Sequence, residues 1–150
     1  MIGHEELCQL IPHSFDMCLL DRVESWDENT ITCYSQSHTL ATNPLRRNEA
    51  LSSVHVLEYA AQAMAVHGGL HDRAAGNKMT EGYLAALRDV KLELCEINRV
   101  PDELCIQAKK ILAQGGNMIY EFTVNANEKN IASGRATVVA ISHENAELTQ

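Results

Sequence analysis

The alternation of apolar and polar residues predicts six strands, two before the middle of the chain and four after it. Residues 117–126 alternate most regularly, which is typical of an antiparallel strand with one buried face. Polar or glycine-rich turns separate the strands, as at Asp27-Glu28-Asn29 and Gly115-Gly116. The predicted strands cover residues 17–26, 30–37, 81–95, 103–113, 117–126 and 130–142.

Between the two sets of strands, apolar residues recur at the spacing of an α-helix. Ser52 or Ser53 can cap this helix, which we expect to run to about Val66 and to end at Gly68-Gly69. A polar loop over residues 71–79 then leads to the next strand. The positions predicted to form the buried face of the helix are Leu57, Ala60, Ala61, Met64, Ala65 and Gly68.

A carboxylate, Glu58, interrupts this apolar helix. His55 and Gln62 lie at helical spacing from it and share its side of the helix. A charge on a largely buried helix is costly unless it is paired or used. We therefore expect Glu58 to be either a rim carboxylate in water or a working acid in a pocket.

Two strands, one long apolar helix and four long strands fit one antiparallel sheet wrapped around a buried helix. A short helix over residues 4–10 precedes them. The chain has no internal repeat and no low-complexity linker, so residues 1–150 are expected to form a single domain.

Two motifs resemble a known family. Residues 11–23, Ile-Pro-His-Ser-Phe-Asp-Met-Cys-Leu-Leu-Asp-Arg-Val, resemble the opening of 3-hydroxyacyl-(acyl-carrier-protein) dehydratases. Residues 57–63, Leu-Glu-Tyr-Ala-Ala-Gln-Ala, resemble the helix motif of that family, and residues 83–94 its following strand. The resemblance implies an α+β hot-dog fold, in which one long central helix is wrapped by an antiparallel sheet, and it implies a homodimer or a heterodimer.

The resemblance also implies an activity. Such an enzyme dehydrates a 3-hydroxyacyl thioester on acyl carrier protein to the trans-2-enoyl thioester, which needs a base, an acid and donors to the thioester oxygen. By resemblance, Glu58 is the catalytic carboxylate and Gln62 orients it. The backbone amides of Ser53 and Val54, at the positive end of the helix, would bind the thioester oxygen.

The sequence departs from the family at the expected base. The family places a catalytic histidine fourteen residues before the acid, but that position is Pro44 here, and Ser53 replaces the glycine expected at the helix start. This loop is similar to that of a divergent branch associated with aryl-polyene-type pathways. The candidates for the base are His55, His38 and His13, or a histidine of a partner subunit.

Each histidine also has a structural interpretation. His55 would be a packed helix residue, His38 a surface residue at the end of a strand, and His13 a turn residue that also borders the substrate. Two further functions stay open: a hot-dog acyl thioesterase that uses Glu58 to activate water, and a non-catalytic hot-dog subunit that completes the dehydratase site of a partner.

Composition and residue spacing exclude several classes of partner and ligand. A net charge of −8 argues against nucleic acid and anionic membranes, and no stretch has transmembrane length. Five dispersed cysteines, without CxxC or His/Cys metal spacing, predict reduced thiols in a cytoplasmic protein without a signal peptide. Gly68-Gly69 separates His67 from His71, so we expect no metal site, and no cofactor beyond the phosphopantetheine arm of acyl carrier protein.

Overall fold

The computed structural model describes residues 1–11, 17–77 and 81–141. They form one six-stranded antiparallel sheet, in the order β1-β2-β4-β5-β6-β3, with one long helix packed against it. The predicted α+β hot-dog architecture is confirmed. The elements are α1 (His4–Cys8), β1 (Arg22–Trp26), β2 (Thr30–Ser35), α2 (Val56–Ala74), β3 (Glu81–Leu92), β4 (Leu104–Gln114), β5 (Asn117–Ala126) and β6 (Lys129–Ile141).

The strands lie close to their predicted positions. Gly115 and Gly116 turn the β4–β5 hairpin with φ of +59° and +86°, a conformation that favours glycine. The first strand begins five residues later than predicted. Its expected start does not join the sheet, because the backbone N–H of Leu19 donates to the side chain of Gln62 instead.

The buried face of α2 is offset from the predicted one. Leu57, Ala61, Ala65 and Gly68 are only half-buried, because they face away from the strands that cover the helix. Packing against β2, β4 and β5 buries the other side. The residues buried there include Val56, Tyr59, Ala60, Ala63, Met64, Val66, His67 and Leu70.

The predicted end of α2 at Gly68-Gly69 is wrong, since the helix continues to Ala74. Gly69 is buried, and a Cβ atom there would lie 3.4 Å from the side chain of Leu10. Glycine thus permits the segment after α1 to approach the helix closely. Tertiary packing of this kind outweighs the modest cost of glycine within a helix.

The prediction that all five cysteines are reduced thiols is also wrong. Cys8 at the end of α1 forms a disulfide with Cys18, with Cα atoms 5.8 Å apart. Of the remaining three, Cys33 is buried, Cys105 is half-buried and Cys95 is exposed. Burial raises the pKa of the Cys33 thiol to about 12, so this thiol is an inert part of the core.

No helix within the described ranges is both long enough and apolar enough to cross a membrane.

Candidate active site

A cavity of about 260 Å³ lies between α2 and the neighbouring ends of β3 and β6. Its walls are mostly apolar, and small residues such as Ala61, Ala65 and Gly82 leave the space open. Among the described residues that line it, Glu58 is the only carboxylate. These lining residues are Ile11, Glu58, Ala61, Gln62, Met64, Ala65, Gly82, Tyr83, Leu84 and Val138.

Glu58 reaches this cavity because of its position on α2. It lies three residues before Ala61 and seven before Ala65, so the three share one side of the helix. The residue is half-buried. The structure therefore places the carboxylate in the wall of an apolar pocket that is still open to solvent, which combines the two settings expected from the sequence.

Gln62 holds the opening segment of the chain against α2. Its side chain is almost fully buried, its Oε1 accepts a hydrogen bond from the N–H of Leu19 at 2.8 Å, and its Nε2 donates to the carbonyl of Met17 at 2.7 Å. These bonds satisfy backbone groups that do not belong to the sheet. The orientation of Glu58 by Gln62 stays a prediction, and the anchoring of residues 17–19 is a role that the sequence did not reveal.

The Asp-Arg pair of the opening motif also stabilises the fold. Asp21 Oδ2 accepts a hydrogen bond of 2.6 Å from the N–H of Gln36, just beyond β2. The guanidinium of Arg22 donates to both carboxylate oxygens of Glu103, at 2.7 and 3.1 Å, and these bonds raise its pKa. The motif thus fixes the start of β1 to its neighbours and does not enter the pocket.

The candidate histidines do not line the pocket of Glu58 among the residues that the structure describes. His55 borders a separate depression, together with Arg47 and Glu96, on the side of Cys95. His13 lies outside the described residues.

The expectation that His38 is a surface residue is wrong. It is fully buried, and its Nε2 lies 2.9 Å from the carbonyl oxygen of Val100, while its Nδ1 has no partner within the described part of the chain. Burial lowers the pKa of its imidazole, which favours the neutral form.

The amides predicted to bind the thioester oxygen are both engaged within the chain. Ser53 donates its N–H to the carbonyl of Cys95 at 2.9 Å, and Val54 donates to Oγ of Ser52 at 3.4 Å. Ser52, one of the two residues that the sequence offered as a cap, therefore caps the short 3-10 helix Ser53–His55 that precedes α2, whereas α2 itself begins after His55 without a side-chain cap. A role for these amides towards substrate remains a prediction, and it requires one of these bonds to open.

A buried histidine cluster, which the sequence analysis did not identify, joins α2 to the β1–β2 turn. His67 Nδ1 lies 2.7 Å from the hydroxyl of Tyr120, and His67 Nε2 lies 2.8 Å from the carbonyl of Asp27. Because α2 continues through the glycines, His71 stacks edge-on against His67 and contacts the carbonyl of Glu28. Burial lowers the pKa of His67 to about 4, so it is neutral at physiological pH.

One long helix across a six-stranded antiparallel sheet, with a carboxylate of the helix in the wall of an apolar pocket, defines a hot-dog protein. Within this class, the family model of the ApeP-like dehydratases, described as ApeP dehydratase, matches residues 5–150. The chain belongs to this family. A comparison with curated protein sequences gives no match.

Solved structures agree on the fold. A chain of the dehydratase heterocomplex ApeI:P from Xenorhabdus doucetiae matches with a TM-score of 0.84 at 19% identity, over 95% of both chains. A putative thioesterase from Shewanella oneidensis matches with a TM-score of 0.63 at 13% identity, over 92% of this chain and 99% of that one. A mutant of the thioesterase PA1618 from Pseudomonas aeruginosa matches with a TM-score of 0.60 at 12% identity, over 93% of this chain and 94% of that one.

Proposed function

We propose that this chain is a subunit of a dehydratase that converts a 3-hydroxyacyl thioester on acyl carrier protein into the trans-2-enoyl thioester, in fatty-acid-like or aryl polyene biosynthesis. The observation that carries the proposal is the carboxylate of Glu58 in the apolar pocket of an ApeP-like chain. The phosphopantetheine arm of the carrier protein would present the acyl group, and the reaction needs no further cofactor.

Glu58 would act as the acid of this reaction. A base removes the proton from C2, the electron pair of that C–H bond forms the C2–C3 double bond, and the C3–O bond breaks. Protonated Glu58 gives its proton to the departing hydroxyl, which leaves as water. The apolar walls around Glu58, such as Ala61 and Met64, suit the alkyl part of the acyl chain.

A second hot-dog subunit would supply the base. No histidine lines the pocket within the described residues, whereas strand β3 beside it is unpaired along its outer edge. Leu87 and Leu92 pair with Ala136 and Ala132, which are buried in the core, so both leucines point to the helix side of the sheet. Each is 38% exposed, an apolar surface suited to burial against a partner.

The test is dehydration of a 3-hydroxyacyl carrier protein, followed by mass spectrometry of the intact thioester. We expect no water loss from the chain alone, and water loss from its complex with a second hot-dog subunit. Glu58→Gln should lower the rate of the complex by roughly 10²–10⁴-fold, the usual contribution of a general acid. Glu28→Gln, at an exposed turn remote from the pocket, is the matched control and should leave the rate unchanged.

The same assay decides where the base lies. Activity of the chain alone that disappears in His13→Gln would assign the base to this chain and overturn its supply by a partner. Full activity of Glu58→Gln in the complex would contradict the proposed role of the carboxylate.

A thioesterase is the second candidate function. The putative thioesterase from Shewanella oneidensis and the thioesterase PA1618 from Pseudomonas aeruginosa share the fold, and a helix carboxylate in a pocket can activate water for attack on a thioester. Release of the free acid from the acyl carrier protein, in place of loss of water, would favour this function. A complex that is active with Glu58→Gln, and inactive without this chain, would favour a non-catalytic supporting subunit.

A further inference from the structure

Three soft or borderline metal ligands meet at the end of α1, away from the pocket of Glu58. His4 and Cys8 are one helical turn apart on α1, and Cys18 reaches them from the segment that precedes β1. A ring nitrogen of His4 and the two sulfur atoms all lie within 4.8 Å of one another. The sequence pattern His-x-x-x-Cys was a signal for this cluster that the sequence analysis overlooked.

The spacing suits tetrahedral coordination once the disulfide is reduced. Two thiolates and one imidazole are a ligand set that zinc prefers. Ideal zinc bond lengths place a sulfur and a nitrogen ligand about 3.5 Å apart in a tetrahedral site. The Sγ atom of Cys8 lies 3.5 Å from Nε2 of His4 and 3.6 Å from its Nδ1, so either ring nitrogen is within this distance.

An independent contact orients the imidazole. His4 Nδ1 lies 2.8 Å from the carbonyl oxygen of Leu20, which places the ring proton on Nδ1 and the lone pair on Nε2. A backbone carbonyl that binds the other ring nitrogen is the usual support of a metal-binding histidine. Cys8 is buried and Cys18 half-buried, while His4 is exposed, so a cation can enter from the surface.

We propose that His4, Cys8 and Cys18 form a redox-controlled site for a zinc-like divalent cation. A dithiol reductant donates two electrons and two protons, which breaks the Cys8–Cys18 bond and yields two thiols. The cation then displaces both thiol protons, binds the two thiolates and Nε2 of His4, and keeps water in the fourth position. The oxidised pair has no thiolate and excludes the cation.

The segment that carries Cys18 also contacts Gln62, a residue that lines the pocket of Glu58. Cys18 lies between Met17 and Leu19, whose backbone groups both bond to the side chain of Gln62. The proposal does not depend on the dehydratase activity, because metal uptake is measured without substrate.

The test uses the full chain, reduced with a phosphine and freed of excess reductant. Titration with Cd²⁺ should give thiolate-to-metal absorption that saturates at one equivalent per chain, and a chromophoric chelator should report the same stoichiometry for Zn²⁺. Cys18→Ser and His4→Gln should weaken binding on the order of tenfold or more, as expected for loss of a ligand or of its support. Cys95→Ser removes an exposed thiol outside the cluster and should bind as the parent does.

Alkylation of the unmutated protein gives a second measurement that does not depend on the folding of a variant. Bound Zn²⁺ should protect Cys8 and Cys18 of the reduced chain from alkylation, while Cys95 reacts at an unchanged rate. Reduced protein that takes up no Cd²⁺, uptake that Cys18→Ser leaves intact, or stoichiometric uptake by the disulfide form would overturn the proposal.

Discussion

At the scale of single residues, charge identifies Glu58 in the sequence, whereas the environments of Gln62 and His67 become visible only from their burial in the structure. Glu58 stands out in the sequence because it is the one carboxylate in the apolar stretch of the helix, and the structure places it in the pocket. Gln62 and His67 carry no such signal, because a neutral polar side chain on a helix fits the surface as well as the core. Their roles depend on backbone carbonyls and amides that the fold brings to them from distant parts of the chain.

His67 predicts a pH dependence of stability. Its folded pKa of about 4 lies below the ordinary value of 6.5, so the unfolded chain binds more protons between these two values. The free energy of unfolding should therefore be fully retained above pH 6.5 and should fall as the pH drops towards 4, by at most ~3 kcal/mol from this residue. Denaturant unfolding measured across this range checks the slope.

Variants isolate the contribution of His67. The groups that face it are His71, Lys110, Asp27 and the Tyr120 hydroxyl, and the buried His38 titrates in the same direction. His67→Gln should reduce the acid slope, whereas His71→Gln, at a half-buried position one turn away, should retain most of it. An unchanged slope in His67→Gln would refute the assignment.

At the scale of elements, α2 shows how packing decides where a helix ends. Gly68-Gly69 is a stop signal when read locally. Beyond the glycines, Leu70 is buried and His71 contacts the carbonyl of Glu28, and these contacts favour continuation of the helix. Apart from the start of β1, the alternating strands needed no such correction, because their period and their turn residues predict the same boundaries.

Replacing glycine by alanine should change the free energy of unfolding in opposite directions at a helical position and at a turn position. Gly68 is helical and a Cβ there meets nothing within 4 Å, so Gly68→Ala should raise the free energy of unfolding by about 0.5–1 kcal/mol. Gly116 has a φ of +86°, so Gly116→Ala should lower it by roughly 1–2 kcal/mol. Thermal and denaturant unfolding of the two variants measure both effects, and equal signs would contradict the conformational argument.

At the scale of the whole molecule, the sheet is unequally covered. α2 packs against the strands on the β2, β4 and β5 side, while strand β3 stands at the edge with exposed apolar residues on the helix side. A pocket that opens next to such a strand is suited to completion by a second subunit.

A substitution on strand β3 should therefore weaken assembly with a second subunit and leave the folding of the chain itself unaffected. Leu87→Lys should leave the thermal stability of the isolated chain nearly unchanged, because the side chain is 38% exposed there, and should weaken a complex with the second subunit by roughly tenfold or more. Leu112→Lys, at a 50% exposed position on β4 with two strands in between, is the control. Analytical ultracentrifugation and titration calorimetry report the difference, and equal effects of both variants would argue against β3 as the interface.

The sequence by itself determined the order of elements, the turns and the acid on the helix, because periodicity, turn chemistry and a charge among apolar neighbours are local properties. The tertiary structure decided which face of α2 is buried, how far that helix extends past Gly68, and where His38, His55 and His67 lie. It also brought Cys8 and Cys18 together. These outcomes depend on contacts between residues far apart in the chain, and no local pattern encodes such contacts.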